Sequence, residues 1–172
     1  FESNISNKYY LVPRYYDRKT DFLLEGDANR LGAKIMSLED MVSKKWITIK
    51  KGHEVGSECY GTGDIPFVRT SDISNFEVSI DPTKSVSEEV YRSLSKEQNL
   101  KPGSILMVVD GRYRIGRCAI LHEYNYRCIA QSHLRIISVS EKAPFTPFEL
   151  LYLLSLASVQ RDIRSLVFIQ ST

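Results

Sequence analysis

The segment GRYRIGR, residues 111–117, carries the side chains of this sequence that are best suited to bind an anionic polymer. Arg112, Arg114 and Arg117 lie within six residues, and Tyr113 stands between the first two. A guanidinium group binds phosphate oxygens and guanine edges, while a tyrosine adds a flat ring with a hydrogen-bonding tip. The alternative is a solvated strand face with ordinary surface arginines. The pattern therefore predicts either a nucleic-acid contact or a plain polar surface.

Polar and aromatic side chains continue beyond this segment into the next loop and strand. They are Tyr124, Asn125, Tyr126, Arg127, Gln131, Ser132 and His133. If the strands that flank the loop at 122–127 pair as a hairpin, alternation along each strand places several of these side chains on one face or rim. Amide side chains suit adenine edges, so this part of the chain extends the candidate nucleic-acid surface.

A second polar row follows the apolar run 65–68 in the stretch GDIPFVRTSDISN, residues 63–75. The row contains Arg69, Thr70, Ser71, Asp72, Ser74 and Asn75. Two interpretations are open: the row caps its own backbone as a turn, or it forms an edge that reads a partner.

Lysines on both sides of Trp46 form a further basic stretch, with Lys44 and Lys45 before it and Lys50 and Lys51 after it. Contact with phosphates is one interpretation of these lysines. A charged sheet edge that blocks aggregation explains them nearly as well.

No group of residues in the sequence is typical of an enzyme. The histidines His53, His122 and His133 are scattered, and none has a metal-ligand partner at helical i, i+4 spacing. A nucleophile elbow, a phosphate-binding glycine loop and a paired dinucleotide-binding glycine motif are missing as well. We therefore expect a domain without a catalytic site, metal or cofactor of its own.

Composition sets the broad class of the protein. The 172 residues fit one domain with a real core, and the net charge of +2 is too small to argue nucleic-acid binding by itself. Cys59, Cys118 and Cys128 form no close pair, which favours reduced thiols in a cytoplasmic protein. No apolar run approaches the ~20 residues needed to span a bilayer, and no signal peptide is visible. We expect a cytoplasmic protein with no membrane partner.

Periodicity and capping signals predict short strands flanked by helices. Strands are expected within residues 46–52, 65–70, 105–109, 114–121 and 128–139. Helices are expected at 37–46 with Ser37 as cap, at 85–98 with Ser85 as cap, and at 146–166 with Thr146 as cap. The last helix is rich in leucine, so it is either buried in the core or faces a partner.

These elements predict an α/β (α+β) protein. We expect a single domain with a mixed or mostly antiparallel sheet and flanking helices. Residues 1–36 are predicted to be an extended lead-in, and residues 37–172 the domain itself.

Four segments, taken in order, resemble one known family. They are GDIPFVRTSDISN, LKPGSILMVVDGRYRIGRCAIL, IAQSHLRIIS and PFELLYLLSLASVQRDIRSLVFIQST. Together they are similar to the target-recognition domains of type I restriction–modification specificity subunits, and to the C-terminal domains of some fused N6-adenine DNA methyltransferases. The resemblance covers roughly residues 46–172, and its most specific parts are the phrase PFVRTSDI and the closing IQST.

The resemblance implies a function and a set of partners. Such a domain reads half of a split site on double-stranded DNA and has no catalytic site, while a separate methyltransferase subunit or domain uses S-adenosylmethionine. A restriction subunit is a further candidate partner. The family's long helix would follow Thr172, so the resemblance implies that the chain is a fragment. Within the matching phrase, Asp72 is expected to brace the turn and Arg69 to lie nearer the DNA.

The residues expected to contact DNA are Arg69, Thr70, Ser71, Asn75, Arg112, Tyr113, Arg114, Tyr126, Arg127 and His133, with Lys44, Lys45 and Lys51 as positioning residues. The alternative function is a protein-interaction module. In that case the tyrosines and the leucine-rich helix dock onto a methyltransferase, and direct DNA contact is minor.

Overall fold

The computed structural model describes residues 19–111 and 114–166. In chain order the elements are α1 (Lys19–Leu31), α2 (Leu38–Ser43), β1 (Ile47–Lys51), β2 (Phe67–Val68), β3 (Ile73–Ser74), β4 (Glu77–Val78), α3 (Glu88–Gln98), β5 (Ile105–Val108), β6 (Cys118–Ile120), β7 (Ile129–Ala130), β8 (Leu134–Val139), α4 (Pro147–Ser155) and α5 (Ala157–Leu166). Short 3₁₀ turns occur at Ser57–Cys59, Thr70–Asp72 and Pro82–Lys84. The predicted α/β class with flanking helices is confirmed.

The central sheet has four antiparallel strands in the order β1-β8-β5-β6. Two smaller pairs complete the strand structure: β2 with β7 in parallel, and β3 with β4 in antiparallel orientation. The predicted mixed or mostly antiparallel arrangement is therefore confirmed.

Strand β5 is the centre of the core, because its four apolar residues are all buried. Alternation sends Leu106 and Val108 to one face of the sheet, where they join β2 and β7 residues, and Ile105 and Met107 to the other. The second face is covered by α4 through Leu150, Leu151 and Leu154. Each such buried aliphatic side chain contributes roughly 1.5–3 kcal/mol relative to an exposed one.

Local capping chemistry places several helix starts where the sequence predicts them. Ser37 accepts a hydrogen bond from the Asp40 N–H at the start of α2. Thr146 and Glu149 form a reciprocal capping box at the start of α4. The expected cap at Ser85 is wrong. The helix α3 is capped by Ser87, because residue 86 bridges to Ile65 as an extended residue before the helix begins.

The predicted extended lead-in contains a helix, α1, over residues 19–31. This helix packs against α5, a contact made across more than a hundred residues that no local pattern reveals. Residues 1–18 of the lead-in lie outside the described residues, and the domain boundary at 37 stays a prediction.

Two elements predicted as continuous are divided in the structure. The strand expected at 128–139 becomes β7 and β8, since β7 pairs with β2 while β8 joins the central sheet. The terminal helix breaks at Leu156, whose ψ of 139° is extended, so that α4 covers the sheet and α5 contacts α1.

Candidate nucleic-acid interface

The register of the sheet places the loops of this domain at the two opposite ends of its strands, which we call its upper and lower edges. Strands β1 and β5 end, and β6 and β8 begin, at the same edge, since Lys51 lies opposite Arg135 and Met107 opposite Cys118. The ends of the parallel strands β2 and β7 meet there too, next to the bridge between His53 and Gln131. We call the segments 51–54, 69–72, 109–111, 114–117 and 131–135 the upper edge. The segments 44–46, 121–128 and 140–147 form the lower edge.

The polar row after β2 forms a turn that is held by hydrogen bonds among Arg69, Ser71 and Asp72, which we call the brace. The Asp72 carboxylate accepts hydrogen bonds from the Arg69 backbone N–H (2.9 Å), from its Nε–H (3.2 Å) and from its Nη2–H (3.0 Å). The Ser71 hydroxyl donates to the same carboxylate at 2.8 Å. Asp72 is buried, as its expected bracing role requires.

Arg69 takes part in this brace more fully than the sequence suggests. Its Nη2 also donates to Asp81 at 2.8 Å, and only 23% of its side chain is exposed. Hydrogen bonding to Asp72, followed by the charges of Asp72 and Asp81, raises the pKa of Arg69. The Thr83 side chain and backbone N–H, followed by Arg69, lower the pKa of Asp81. Two carboxylates thus neutralise a side chain that was expected to lie nearer DNA.

Arg114 joins the β5–β6 loop to this brace. Its Nη1 donates to the Ser71 carbonyl oxygen at 2.9 Å, so the contact leaves the positive charge of Arg114 uncompensated by a carboxylate. On the other side of the loop, Gln160 of α5 donates from Nε2 to the Gly116 carbonyl at 2.7 Å. Gly116 has a φ of +84°, and a Cβ there would meet the Gln160 side chain at 2.8 Å. The loop is therefore held at two points and presents Arg117 to solvent.

The remainder of the upper edge is mixed in charge. His133 Nδ1 lies 2.8 Å from Asp110, and Ser132 donates to Glu54 at 2.6 Å. Among the described residues, four cations of this edge have no carboxylate partner. They are Lys51, Arg114, Arg117 and Arg135, the last of which donates only to backbone carbonyls. The edge thus carries positive charge that its own carboxylates do not cancel.

The buried side-chain amide of Gln98 stabilises strand β7, whose end lies at the upper edge. Gln98 at the end of α3 is 1% exposed, and it donates from Nε2 to the Ala130 carbonyl (2.9 Å) and accepts from the Ala130 N–H (2.9 Å). The same Nε2 lies 3.0 Å from Nδ1 of His53, whose Nε2 contacts Glu97 at 3.1 Å. The Ala130 carbonyl also accepts from the His53 N–H at 2.9 Å, so it is the Ala130 N–H of β7 that relies on Gln98 for its partner.

The structure divides the predicted site residues between the two edges. Arg69, Thr70, Ser71, Arg114, His133 and Lys51 lie on the upper edge, and Asn75 lies in the β3–β4 turn beside it. Lys44, Lys45, Tyr126 and Arg127 lie on the lower edge. Arg112 and Tyr113 lie outside the described residues. The condition for placing several of the side chains of residues 112–133 on one face or rim, a hairpin around the loop at 122–127, is therefore not met.

Strand pairing explains this separation. The sequence-based hypothesis paired the strands on either side of the 122–127 loop, but β6 pairs with β5 instead. Successive loops of an antiparallel sheet emerge at alternate ends, so the segments 109–111 and 114–117 must lie at the edge opposite the 121–128 loop. At the lower edge, Arg127 pairs with Glu88 and lies over the Tyr91 ring at 4.9 Å. Hydrogen bonding by Arg127 is also the main cause that lowers the pKa of Glu88.

Sequence reasoning did not select Arg117, Arg135 or Phe76 as site residues. Arg117 belonged to the basic segment that opened the case for nucleic acid, so its spacing was already a signal. Arg135 lies inside a strand, and only its place opposite Lys51 brings it to the edge. Phe76 shares a surface hollow of about 270 Å³ with Asn75 and Arg117.

The described part of the chain contains no group of three or more His, Cys, Asp or Glu side chains arranged to hold a metal ion. Burial raises the pKa of the Cys118 and Cys128 thiols to about 12, which keeps both protonated and unreactive. None of the helices within these residues combines the length and apolar character that crossing a bilayer requires.

No family model matches this chain, and no curated protein is similar to it. Among solved structures, the crystal structure of the HsdS subunit from Thermoanaerobacter tengcongensis is similar, with 18% identity and a TM-score of 0.53 over 87% of this chain and 36% of that chain. A chain from a structure of the type I R-M system, solved to describe complex assembly and conformational transition, is also similar. It has 18% identity and a TM-score of 0.55 over 92% of this chain and 38% of that chain.

The chain spans a little over a third of the length of either solved chain. At this identity the likeness shows a shared fold. It confirms, at the level of the fold, the resemblance to a type I specificity subunit that the sequence motifs suggest.

Proposed function

We propose that this chain recognises double-stranded DNA as the target-recognition part of a type I restriction–modification specificity subunit. The observation that carries the proposal is the upper edge, where four cations without a carboxylate partner among the described residues stand beside the polar ends of the strands. The fold shared with an HsdS subunit supports the same conclusion. The cytoplasm is the compartment in which this function would operate.

Two kinds of contact divide the work in this proposal. Lys51 and Arg135 neutralise phosphates, a contribution that is independent of DNA sequence and falls as salt rises. Arg117 is exposed on a loop held at both sides, and Arg114 uses only Nη1 for its bond to the Ser71 carbonyl. Both guanidinium groups therefore have donors to read base edges, where a good bidentate pair discriminates by roughly 1–3 kcal/mol. Arg69, Asp72 and Ser71 keep the neighbouring turn in shape. The methyl transfer itself, with S-adenosylmethionine, belongs to a partner subunit or a fused domain.

The experiment compares matched lysines at the two edges. A preferred duplex is first selected from a random library with the chain, and its binding is then followed by fluorescence anisotropy over a range of salt concentrations. Lys51→Gln is expected to weaken binding to all duplexes alike and to lower the slope of log affinity against log salt by about 1. Lys45→Gln removes the same charge from the lower edge and is expected to leave the slope unchanged.

Sequence readout is tested separately with Arg117→Gln. This variant is expected to bind the selected duplex more weakly while its binding to unrelated duplexes changes little beyond the loss of one charge. Equal effects of Lys45→Gln and Lys51→Gln, or no duplex binding by the parent chain at low salt, would show that the upper edge is not a DNA interface.

A second function, docking of a protein partner, is favoured by the aromatic surface near the lower edge. Tyr124, Phe148 and Tyr152 are 77%, 61% and 66% exposed. The His122 ring links two of them, since it stacks on Tyr124 at 5.3 Å and lies 6.2 Å from Phe148. Large exposed aromatic groups are typical of protein interfaces.

We assign this surface to the methyltransferase subunit that the proposed function requires. Tyr124→Ser with Tyr152→Ser is expected to reduce co-elution with that subunit in gel filtration while duplex binding by the isolated chain is retained. Loss of duplex binding with intact co-elution would assign the aromatic surface to DNA instead.

A further inference from the structure

The turn between β3 and β4 has an unusual backbone for its sequence. Ile73 lies opposite Val78 and Ser74 opposite Glu77, which leaves a two-residue loop of Asn75 and Phe76. Both have a positive φ, 51° and 67°. This is the pattern of a type I′ turn, in which asparagine followed by glycine is favoured because a Cβ in the left-handed region is crowded. A phenylalanine occupies the position that suits glycine.

The fold itself makes little use of the Phe76 ring. The residue is 50% exposed and belongs to none of the three apolar clusters of the described chain. Its carbonyl oxygen accepts a hydrogen bond from the Ile120 N–H at 3.0 Å, which ties the turn to β6. A glycine could make that backbone contact equally well. Strain that the fold does not require is a mark of functional residues.

The side chains around the Phe76 ring suit a nucleic acid, whose phosphates are negatively charged and whose bases carry apolar groups. Asn75, Phe76 and Arg117 line one hollow of about 270 Å³, and Gln160 lines it too. Arg117 is exposed and has no carboxylate partner in the described part of the chain. A guanidinium, an amide and a half-exposed aromatic face thus stand together beside the upper edge.

We propose that Phe76 determines sequence specificity by placing its ring against the C5-methyl group of a thymine in the major groove, with Arg117 beside it. This inference rests on the proposed DNA recognition. Apolar side chains read thymine through this methyl group, which no other DNA base carries. Phe76 is 50% exposed, and its turn is tied to β6 through the Phe76 carbonyl oxygen, so part of its side chain is open to a ligand at a fixed place. Contact with a methyl group needs only part of the ring to be open, so this exposure suffices for a contact in the groove.

The test replaces each thymine of the selected duplex in turn by deoxyuridine, which removes only the methyl group. For the parent chain, one replacement is expected to weaken binding about fourfold, the equivalent of one methyl group removed from an apolar contact. Phe76→Gly is expected to bind the thymine duplex about fourfold more weakly and to be indifferent to uracil at that position. Its melting temperature is expected to be equal to or higher than that of the parent, since asparagine–glycine suits the turn.

Controls separate this proposal from the proposed function. Phe22→Ala removes a ring of α1 that is 68% exposed and is expected to keep the preference for thymine. If the parent and Phe76→Gly tolerate uracil equally at every position, Phe76 does not read thymine, while salt-dependent binding leaves the DNA-recognition function standing. A fall in the melting temperature of Phe76→Gly with an unchanged thymine preference would assign the ring to folding. A parent chain that binds no duplex would overturn both proposals.

Discussion

Replacing Asp72 by asparagine tests whether the polar row after β2 is a brace. The asparagine has the same shape, but its NH₂ group must face donors where a carboxylate oxygen now accepts from Arg69 and Ser71. The hydrogen bond from Arg69 Nη2, which is charge-assisted and contributes about 1.5–3 kcal/mol, is lost, while the Ser71 hydroxyl can turn to accept from the NH₂ group. The remaining contacts with Arg69 lose their ionic part. Asp72 is buried and Arg69 is only 23% exposed, so solvent compensates little. Arg69 keeps Asp81, which limits the loss.

We expect the free energy of unfolding to fall by about 3 kcal/mol, a large part of the total of about 5–15 kcal/mol for such a domain. For a chain of this length the melting temperature then falls by about 6–12 °C. Urea unfolding followed by the fluorescence of Trp46, the one tryptophan of the sequence, and by far-ultraviolet circular dichroism measures the change.

The matched control is Asp64→Asn in the same stretch of sequence. Asp64 is exposed and makes no hydrogen bond with any described residue, so the same chemical change there is expected to cost less than about 0.5 kcal/mol. A double-mutant cycle with Arg69→Met isolates the pair, and its coupling is expected to be about 2 kcal/mol. If Asp72→Asn and Asp64→Asn lowered the free energy of unfolding equally, or if the cycle showed no coupling energy between residues 69 and 72, Asp72 would not hold Arg69. Arg69 would then be available for a DNA contact.

Three further perturbations have definite expected outcomes. Gln98→Leu leaves the Ala130 N–H of β7 without its buried acceptor. Urea unfolding is therefore expected to show a free energy of unfolding lower by about 2–3 kcal/mol. An unchanged urea midpoint would show that Gln98 does not stabilise β7. Thr146→Ala removes the cap of α4 and is expected to cost about 1 kcal/mol in the same assay. The hydrogen bond from the backbone N–H of Thr146 lowers the pKa of Glu149 below its ordinary value of 4.5. The ionised Glu149 carboxylate therefore stabilises the fold fully at a pH above 4.5, and this stabilisation is lost as the pH falls through the lowered pKa. Unfolding curves of Glu149→Gln should lack this acid-dependent part, and an identical pH profile for parent and variant would exclude it.

Local physical chemistry accounts for what could be predicted of the fold. The caps at Ser37 and Thr146 need only a side chain and the next turn of backbone, and both occur as expected. The run 105–108 predicts a buried strand because exposing four consecutive apolar side chains to water would be unfavourable, and all four are buried. The helix α1 and the break at Leu156 could not be predicted in this way, since each depends on which distant element the segment packs against.

The candidate site shows the same division. The bracing role of Asp72, which the resemblance implied, is a contact within one turn, since the carboxylate accepts from the Arg69 N–H three residues away. The second partner of Arg69, Asp81, lies twelve residues away and becomes visible only in the folded chain. The positive φ of Phe76 likewise depends on the register of β3 with β4, for which the sequence carries no glycine signal.

The sequence by itself determined the chemistry available to this protein: which segments are apolar strands, which helices are capped, and which loops carry arginine, tyrosine and amide groups. The tertiary structure alone decided which of those loops meet. The physical reason is that side-chain type and spacing act over a few residues, whereas the edge at which a loop emerges depends on the order in which distant strands pair. That order brings Arg69, Arg114 and Lys51 to one edge and sends Arg127 and Lys45 to the other.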